Sequence, residues 1–558
     1  MKQLLRKSIC EALERRTGLK PEDIPQFSVE VPKEESHGDF ASNVAMLLAR
    51  TLKRSPRDIA EMLIDDLAGL DFIEKVQIAG PGFINFSVRA KAWQAVVAEV
   101  LEKGEDFGRS RPSDPERVMV EFVSANPTGP LHFGHGRGAV VGDVLARLLS
   151  FAGHHVVREF YVNDAGAQVR ALAESVVCRL KEKRGLESVF PEDGYHGDYV
   201  ADLAARLSDD QIEFLPGDPN EQQLQAIQDF AIKTMLEDIQ ADLGAFGIDM
   251  DHFASETQIV RKGRVTEAFG ELENRQLIEE RDGAKWFLSD RFGDEKSRVL
   301  VKKTGANTYF ATDIAYHLDK LRRGHQRLIN IWGADHHGYV PRMKAALEAL
   351  GHPPEALEIV LVQMVSLVRD GQPVILSKRK GEIITLRQVI EEVGSDAARF
   401  FFLLRGTDSQ MEFDLELAKK RSLDNPVFYV QYGHARLSSI LAKATERGIS
   451  IPDPDDLAAV DLSKLELADE IRLMKKMSAL KETVAKACDL QAPHMIVFYL
   501  QELVADFHHY YTAYAKLSPI LGGDPQLVAA RLMLVQALRV VLRNALGLLG
   551  VTAPDRME

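Results

Sequence analysis

The clearest hydrophobic pattern in the chain predicts a strand, a glycine-rich turn and a helix between residues 117 and 153. Apolar and β-branched residues occupy positions 118–123 except for Glu121, as in a buried strand. Prolines and a glycine follow at residues 127–130, which no helix tolerates. Apolar residues then recur at helical spacing over residues 140–149, and Gly153 provides a helix stop. In α/β proteins this order of elements presents backbone N–H groups to a phosphate.

The chain before this unit has the pattern of a separate α/β domain, over residues 1–110. A linker rich in glycine, proline and acidic residues closes it. The pattern predicts helices over residues 4–16, 43–52, 56–67 and 91–102, and strands around a Gly-Pro-Gly turn within residues 75–88.

The central domain is predicted to run from residue 114 to residue 407, as a parallel sheet of the Rossmann type. Residues 156–160 suit a second buried strand, and residues 328–332 suit another. Residues 359–376 predict a hairpin with its turn at Asp370-Gly371. An acidic segment, residues 171–300, is rich in helical patterns and is interpreted as an insertion. Ligands in such folds bind at the carboxyl ends of the strands.

From residue 425 to residue 558 the pattern is helical throughout. Periodic apolar residues recur over residues 473–487, 495–515 and 525–549, with breaks at proline- and glycine-rich stretches. This region is therefore predicted to be a helix bundle.

Composition is that of an ordinary soluble globular protein, with 45% hydrophobic and 27% charged residues among 558. No run of about 18 apolar residues suggests a membrane span. Three distant cysteines indicate neither a disulfide framework nor a zinc ribbon, and they suit a cytoplasmic protein. The net charge of −14 comes mostly from residues 171–300, where 15 basic residues face 28 acidic ones. Charge alone therefore indicates no nucleic-acid footprint.

Two histidines, His132 and His135, stand among glycines where the predicted helix begins. Spaced by three, they are predicted to share one face of the first turn and to donate hydrogen bonds to a phosphate during reaction. The alternative is a dinucleotide fold whose glycines only permit a tight turn, although the G-x-G-x-G spacing is not that fingerprint. Tyr309 and Asp313 are four residues apart, so they would share a face if a helix starts there. The plainer interpretation is a surface carboxylate and a ring that packs in the core.

The string HFGH resembles the HIGH signature of class I aminoacyl-tRNA synthetases, and EFVSANPTGPLHFGHGRGAVVGD resembles the arginyl-tRNA synthetase family in particular. SHGDFASN and GPGFINF resemble that family's N-terminal accessory domain. WGADHHGY resembles its segment beside ATP, and NPVFYVQYGHAR with LGVTAPDRM resembles its anticodon-binding domain. The resemblance implies ATP-dependent attachment of L-arginine to tRNA(Arg) through an arginyl-adenylate.

The resemblance also assigns site residues. It implies catalysis by His132, His135 and Lys378, with Mg²⁺ on the phosphates. The implied arginine-binding residues are Glu121, Ser124, Asn126, His135, Tyr309 and Asp313. Two of them, Glu121 and Asp313, are carboxylates, which a guanidinium needs in fork geometry. The implied ATP-binding residues are Pro127, Thr128, Gly129, Pro130, His132, Gly134, His135, Gly333, Asp335, His336, Ser377, Lys378 and Arg379.

The string LSKRKG resembles a degenerate form of the second class I signature, KMSKS. Lys378 matches the second lysine, whereas Ile375 stands where the first lysine belongs and Arg379 where the final serine belongs. Arg379 or Lys380 is the candidate to share the missing lysine's role. A solvated charge run is the plain alternative.

Asp335, His336 and His337 also suggest a metal site, but adjacent residues rarely point at one ion. An adenosine-contacting loop is therefore preferred.

Tyr510, Tyr511 and Tyr514 offer aromatic faces for unpaired bases, with core packing as the commoner use. Further expectations are a monomer, no membrane association, and amino-acid activation that requires bound tRNA. Two alternatives remain: another HIGH-type enzyme, either a synthetase for a different amino acid or a small-molecule nucleotidyltransferase, and a non-catalytic tRNA-binding paralogue.

Overall fold

The computed structural model of the chain describes residues 1–208, 212–374 and 384–557. The N-terminal region forms an antiparallel sheet covered by helices, with strand order β1-β2-β4-β3. The helices confirm the four predicted from the hydrophobic pattern. The elements are α1 (Lys2–Thr17), β1 (Val29–Glu30), β2 (Phe40–Ser42), α2 (Val44–Leu52), α3 (Pro56–Ala68), β3 (Ile73–Ala79), β4 (Phe83–Val88) and α4 (Ala90–Lys103).

The central region alternates strands and helices. Its elements are β5 (Arg117–Glu121), α5 (His135–Phe151), β6 (His155–Val162), α6 (Ala167–Lys183), α7 (Asp198–Arg206), α8 (Glu221–Ala245), β7 (His252–Ser255), α9 (Glu256–Arg261), α10 (Arg264–Asn274), β8 (Ile278–Arg281), β9 (Ala284–Phe287), β10 (Arg298–Val301), α11 (Tyr309–Arg322), β11 (Arg327–Gly333), α12 (Val340–Ala349) and β12 (Leu357–Val362).

Five of these strands form a parallel sheet in the order β12-β11-β5-β6-β7. The predicted strand–turn–helix unit is confirmed as β5 and α5, and the strands predicted after it are β6 and β11. Helix α5 packs closely on the sheet because Gly142 has no side chain: a Cβ there would lie 2.2 Å from Cγ of Phe122. The parallel sheet confirms the predicted Rossmann-like class.

The acidic segment contains more strand than its pattern predicted. Strand β7 is an edge strand of the central sheet, and β8, β9 and β10 form an antiparallel sheet of their own. The helices α6, α7 and α8 enclose a separate small apolar core. These strands are only four residues long, which is too short for a clear alternating pattern.

A small sheet follows, in the order β14-β13-β15. The predicted hairpin is partly wrong: its first strand is broken at Gln363, so β12 belongs to the central sheet and only β13 pairs with β14. The turn at Asp370-Gly371 is confirmed, with φ of 52° and 74°. The elements are β13 (Val365–Arg369), β14 (Gln372–Pro373), α13 (Leu386–Val393), α14 (Ser395–Phe402), β15 (Met411–Asp414) and α15 (Leu415–Lys419).

The C-terminal region is the predicted helix bundle. The helical pattern over residues 473–487 is divided between two helices. The elements are α16 (Pro426–Glu446), α17 (Ala468–Ser478), α18 (Leu480–Asp489), α19 (His494–Ala513) and α20 (Pro525–Leu548).

By length and composition, α20 is apolar enough to cross a membrane, but 61% of its most apolar window is buried, as in the core helix of a soluble protein.

Candidate active site

The strand order of the central sheet reverses between β5 and β11, which leaves a crevice outside the carboxyl ends of these two strands. From β5 the chain adds β6 and β7 on one side, and β11 and β12 lie on the other. Ligands bind at such a switch point in open α/β sheets. Residues 122–134 leave β5 here, and a short 3-10 helix, Ala334–Tyr339, leaves β11. The tertiary structure thus brings the two predicted nucleotide-binding segments to one edge.

The turn after β5 is strained. Val123 and Ser124 have φ of 68° and 41°, in the left-handed region that a β-branched residue rarely adopts. This bend places Ser124 against the sheet edge, where its hydroxyl donates to Glu121 Oε1 at 3.0 Å. The backbone N–H of Tyr161 donates to the same hydroxyl at 3.1 Å. Such strain persists only where surrounding contacts enforce it, and it clusters at functional sites.

The two histidines lie together, but they do not share one helical turn as predicted. Their rings stack with centroids 3.7 Å apart. Only His135 belongs to α5, because the helix begins there and His132 forms a β-bridge with Thr385. The backbone N–H of His132 donates to His135 Nδ1 at 3.2 Å. In a neutral imidazole this places the ring proton on Nε2, which is the tautomer that donates from that nitrogen.

The rest of the turn contacts the inserted segment. The hydroxyl of Tyr199, in α7, donates to the carbonyl of Thr128 at 2.8 Å. A Cβ at Gly129 would lie 3.3 Å from that hydroxyl, so glycine permits the close approach. Pro127 and Thr128 are buried, while Gly129 and Pro130 are partly exposed.

The predicted phosphate-binding residues Ser377, Lys378 and Arg379 lie outside the described residues. The described chain resumes directly beside the histidines: Phe133 N–H donates to the Ile384 carbonyl at 3.0 Å, and Leu386 N–H donates to the Leu131 carbonyl at 2.7 Å.

Three carboxyl groups, those of Glu121, Glu256 and Asp313, interact electrostatically at the crevice. Glu121 ends β5 and is buried; Asp313 lies one turn into α11, since that helix begins at Tyr309. The hydroxyl of Tyr339 donates to Asp313 Oδ2 at 2.5 Å. Burial raises the pKa of Asp313 to about 7; the Tyr339 hydrogen bond opposes this, and the charges of Glu121 and Glu256 add to it. The negative charges of Glu121 and Glu256 beside Asp313 would attract a cation to this place.

A buried polar network supports Glu121. The ammonium of Lys320, itself fully buried, donates to Glu121 Oε2 and, at 3.2 Å, to Asn330 Oδ1. The Asn330 amide lies 2.9 Å from His317 Nε2. Burial lowers the pKa of His317 to about 3, so this ring is neutral. Glu121 is thus held by a fixed counter-charge, whereas Asp313 has a neutral phenol as its partner.

A second buried carboxylate, Glu159 in β6, braces the helix α11. It accepts from the Tyr316 hydroxyl at 2.6 Å and from both terminal nitrogens of Arg323 at 2.6 and 2.9 Å. Burial opposes ionisation, but hydrogen bonds from His252 and Arg323 prevail and lower the pKa of Glu159.

Sequence reasoning missed these supporting residues. A signal existed, because Asp313, Tyr316, His317 and Lys320 form a polar stripe at helical spacing in a helix whose other buried residues are mostly apolar.

Other arginine-binding candidates lie at the rim. Tyr309 is 71% exposed, and its hydroxyl would lie 3.9 Å from a Cβ at Gly166. Asn126 is exposed, and its amide donates to Gln168 Oε1 at 2.8 Å. Tyr309 therefore lies beside the loop that follows β6, Asn126 contacts the first turn of α6, and neither residue is buried.

Gly333, Asp335 and His336 lie on the exposed segment after β11. Asp335 Oδ2 is 3.6 Å from His336 Nε2. Among the described residues, no group of three His, Cys, Asp or Glu side chains is placed to hold a metal ion.

The three candidate tRNA-stacking tyrosines differ in exposure. Tyr510 is 1% exposed and donates to Glu470 Oε1 at 2.9 Å, so the predicted stacking role does not fit this ring. Its apolar face packs in the bundle core, the alternative that the pattern left open. Tyr511 and Tyr514 are partly exposed, and the guanidinium of Arg436 lies 5.0 Å from the Tyr511 ring.

Family models match almost the whole chain. The class I (R) tRNA synthetase catalytic domain matches residues 96–402, the arginyl-tRNA synthetase N-terminal domain matches residues 3–88, and the DALR anticodon-binding domain matches residues 430–557.

Relatives agree over full length. The arginine–tRNA ligase of Syntrophotalea carbinolica is 48% identical over 100% of both chains, and that of Geobacillus thermodenitrificans is 44% identical over 100% of this chain and 99% of its own. The arginyl-tRNA synthetase of Thermus thermophilus has the same fold, with a TM-score of 0.77 at 24% identity over 100% of both chains. The chain therefore belongs to the arginyl-tRNA synthetase family, within the class I aminoacyl-tRNA synthetases.

Proposed function

We propose that the chain attaches L-arginine to tRNA(Arg) in two ATP-dependent steps. The observation that carries this proposal is the carboxyl cluster of Glu121, Asp313 and Glu256 at the sheet edge that also carries His132 and His135. A guanidinium is always charged, and its planar fork of donors pairs with carboxylates. A phosphate-directed histidine pair beside an acidic pocket suits activation of arginine.

In the first step, an arginine carboxylate oxygen attacks the α-phosphorus of ATP. The bond from that phosphorus to the β-bridging oxygen breaks, pyrophosphate leaves, and arginyl-adenylate forms. In the second step, a ribose hydroxyl of the terminal tRNA adenosine attacks the arginyl carbonyl, and AMP leaves. Little covalent chemistry falls to the protein, so catalysis is positioning plus charge stabilisation.

Each group of residues has a proposed role. Glu121 and Asp313 take the guanidinium, while Ser124 and Asn126 hold the amino-acid end and Tyr309 covers the rim. His132, His135 and Lys378 stabilise charge on the phosphates. ATP lies along residues 127–135, on the segment 333–336 and on residues 377–379, with Arg379 or Lys380 replacing the missing lysine. Mg²⁺ is proposed to accompany the ATP phosphates, as the family resemblance implies.

The other regions serve tRNA. We assign residues 1–110 to an accessory tRNA-binding domain, residues 114–407 to the catalytic domain with its insertion at about 171–300, and residues 425–558 to anticodon binding. Tyr511 and Tyr514, rather than Tyr510, are the proposed stacking groups, because their rings are partly exposed. The enzyme is proposed to act as a cytoplasmic monomer, and to activate arginine only with tRNA bound.

The test is ATP–pyrophosphate exchange with each amino acid in turn, with and without total tRNA. We expect exchange with arginine alone, and only in the presence of tRNA. Exchange with arginine in the absence of tRNA would support arginine as the substrate and contradict the proposed requirement for tRNA. Exchange with a different amino acid would contradict the roles of Glu121 and Asp313, and no exchange at all would indicate a tRNA-binding paralogue.

A further inference from the structure

Arg137 lies in the first turn of α5, two residues after His135, and is 1% exposed. Its Nη1 donates to the carbonyl oxygens of Gln363 at 2.9 Å and Ser409 at 2.8 Å. Its Nη2 donates to the Gly406 carbonyl at 2.7 Å. Burial lowers the pKa of Arg137 to about 10, and the guanidinium remains charged at neutral pH. The buried guanidinium thus binds only backbone carbonyls among these contacts, and it fixes the main chain at residues 363, 406 and 409.

These carbonyls belong to two segments that meet at the small sheet. Gln363 lies between β12 and β13, and residues 405–409 connect α14 to β15. The segments also bind each other, because Gln363 N–H donates to the Thr407 carbonyl at 2.9 Å. Strands β13 and β15 then run parallel. Arg137 therefore fastens the first turn of α5 to the start of this sheet.

The same stretch of chain is fastened at a second place. Leu131 and Phe133 exchange backbone hydrogen bonds with Leu386 and Ile384. Two sets of bonds within residues 131–137 thus hold the histidine pair against the small sheet and against residues 384–386.

We propose that Arg137 is a positioning residue for adenylate formation. Its guanidinium holds the His135 end of α5 in register with the small sheet, so that the histidine pair keeps one position at the sheet edge. The inference rests on the proposed function, since that function gives His135 a role at ATP. A lysine would not replace it, because one ammonium cannot occupy the positions of both Nη1 and Nη2, from which the planar fork reaches Gln363, Ser409 and Gly406.

The experiment compares Arg137→Lys with Arg399→Lys in the full-length protein. Arg399 is the matched control: it is buried, it also contacts α5 through Asp143, and its other bonds go to the carbonyls of Phe246 and Leu549. The readouts are kcat per titrated active site and KM for ATP in arginine-dependent pyrophosphate exchange, the dissociation constant for arginine, and the midpoint of thermal unfolding.

For Arg137→Lys we expect kcat to fall roughly 10- to 100-fold and KM for ATP to rise, because small misplacements of reacting groups cost this much. The dissociation constant for arginine should stay within about twofold, since Glu121 and Asp313 do not contact Arg137 in the described structure. Arg399→Lys should lower the unfolding midpoint while KM for ATP stays unchanged.

Normal kcat and KM in Arg137→Lys would overturn the inference, as would equal losses in both variants. An Arg137→Lys protein that no longer binds arginine would indicate a general structural role and would overturn it too. Absence of exchange in the wild-type protein would instead overturn the proposed function on which the inference rests.

Discussion

Arginine binding should depend on the ionisation of Asp313. A bound guanidinium requires the carboxylate form, and burial raises the pKa of this group to about 7 in the free protein. At pH 8 about nine-tenths of the carboxyl is ionised, and at pH 6 about one-tenth. Because apparent affinity scales with the competent fraction, binding should weaken about 10-fold between these pH values.

Asp313→Asn should remove both the affinity and its pH dependence. Truncating one partner of a buried charge pair costs about 3 kcal/mol, which corresponds to roughly 100-fold in the dissociation constant. Equilibrium binding of arginine between pH 6 and pH 8, followed calorimetrically in the presence of tRNA, measures both quantities.

Tyr339→Phe is the matched control, because it removes the hydrogen bond to Asp313 and keeps the carboxyl group. That hydrogen bond lowers the pKa of Asp313, so its loss should raise the pKa and move the binding transition to higher pH. A shift to lower pH in Tyr339→Phe, or an undiminished pH dependence in Asp313→Asn, would refute the assignment of Asp313 to the guanidinium.

Three further predictions concern stability. The pKa of Asp313 is higher in the folded protein than in the unfolded chain. The stabilisation that the protonated carboxyl gives to the folded state is therefore complete below pH 4 and is lost as pH rises through 7. Asp313→Asn should unfold at a higher urea concentration than wild type at pH 8, and the difference should shrink toward pH 4. Lys320→Met leaves the buried Glu121 unpaired and should lower the free energy of unfolding by about 3–5 kcal/mol, more at pH 8 than at pH 5; an equal loss at both pH values would contradict the ion pair. Gly142→Ala places a methyl against Phe122 and should cost about 1–3 kcal/mol in urea unfolding, whereas Gly244→Ala, with nothing within 4 Å of its Cβ, should not destabilise the protein.

Local sequence determined much of this protein. The β5–α5 unit, the helix start at His135 and the helical C-terminal region all follow from periodicity and turn residues, which act over a few positions. The motif strings also fixed the family. These signals need no knowledge of which elements pack together.

Tertiary structure decided what surrounds the reactive groups. Lys320 meets Glu121 across 199 positions of sequence, and Tyr339 meets Asp313, because β11 lies beside β5 in the sheet. The same order of strands breaks the predicted hairpin at Gln363. Burial of Tyr510 depends on the partner helices of its bundle. Contacts of this kind depend on strand order and helix packing, which local periodicity does not report. They determine the ionisation of carboxyl groups that the sequence could identify only as candidates.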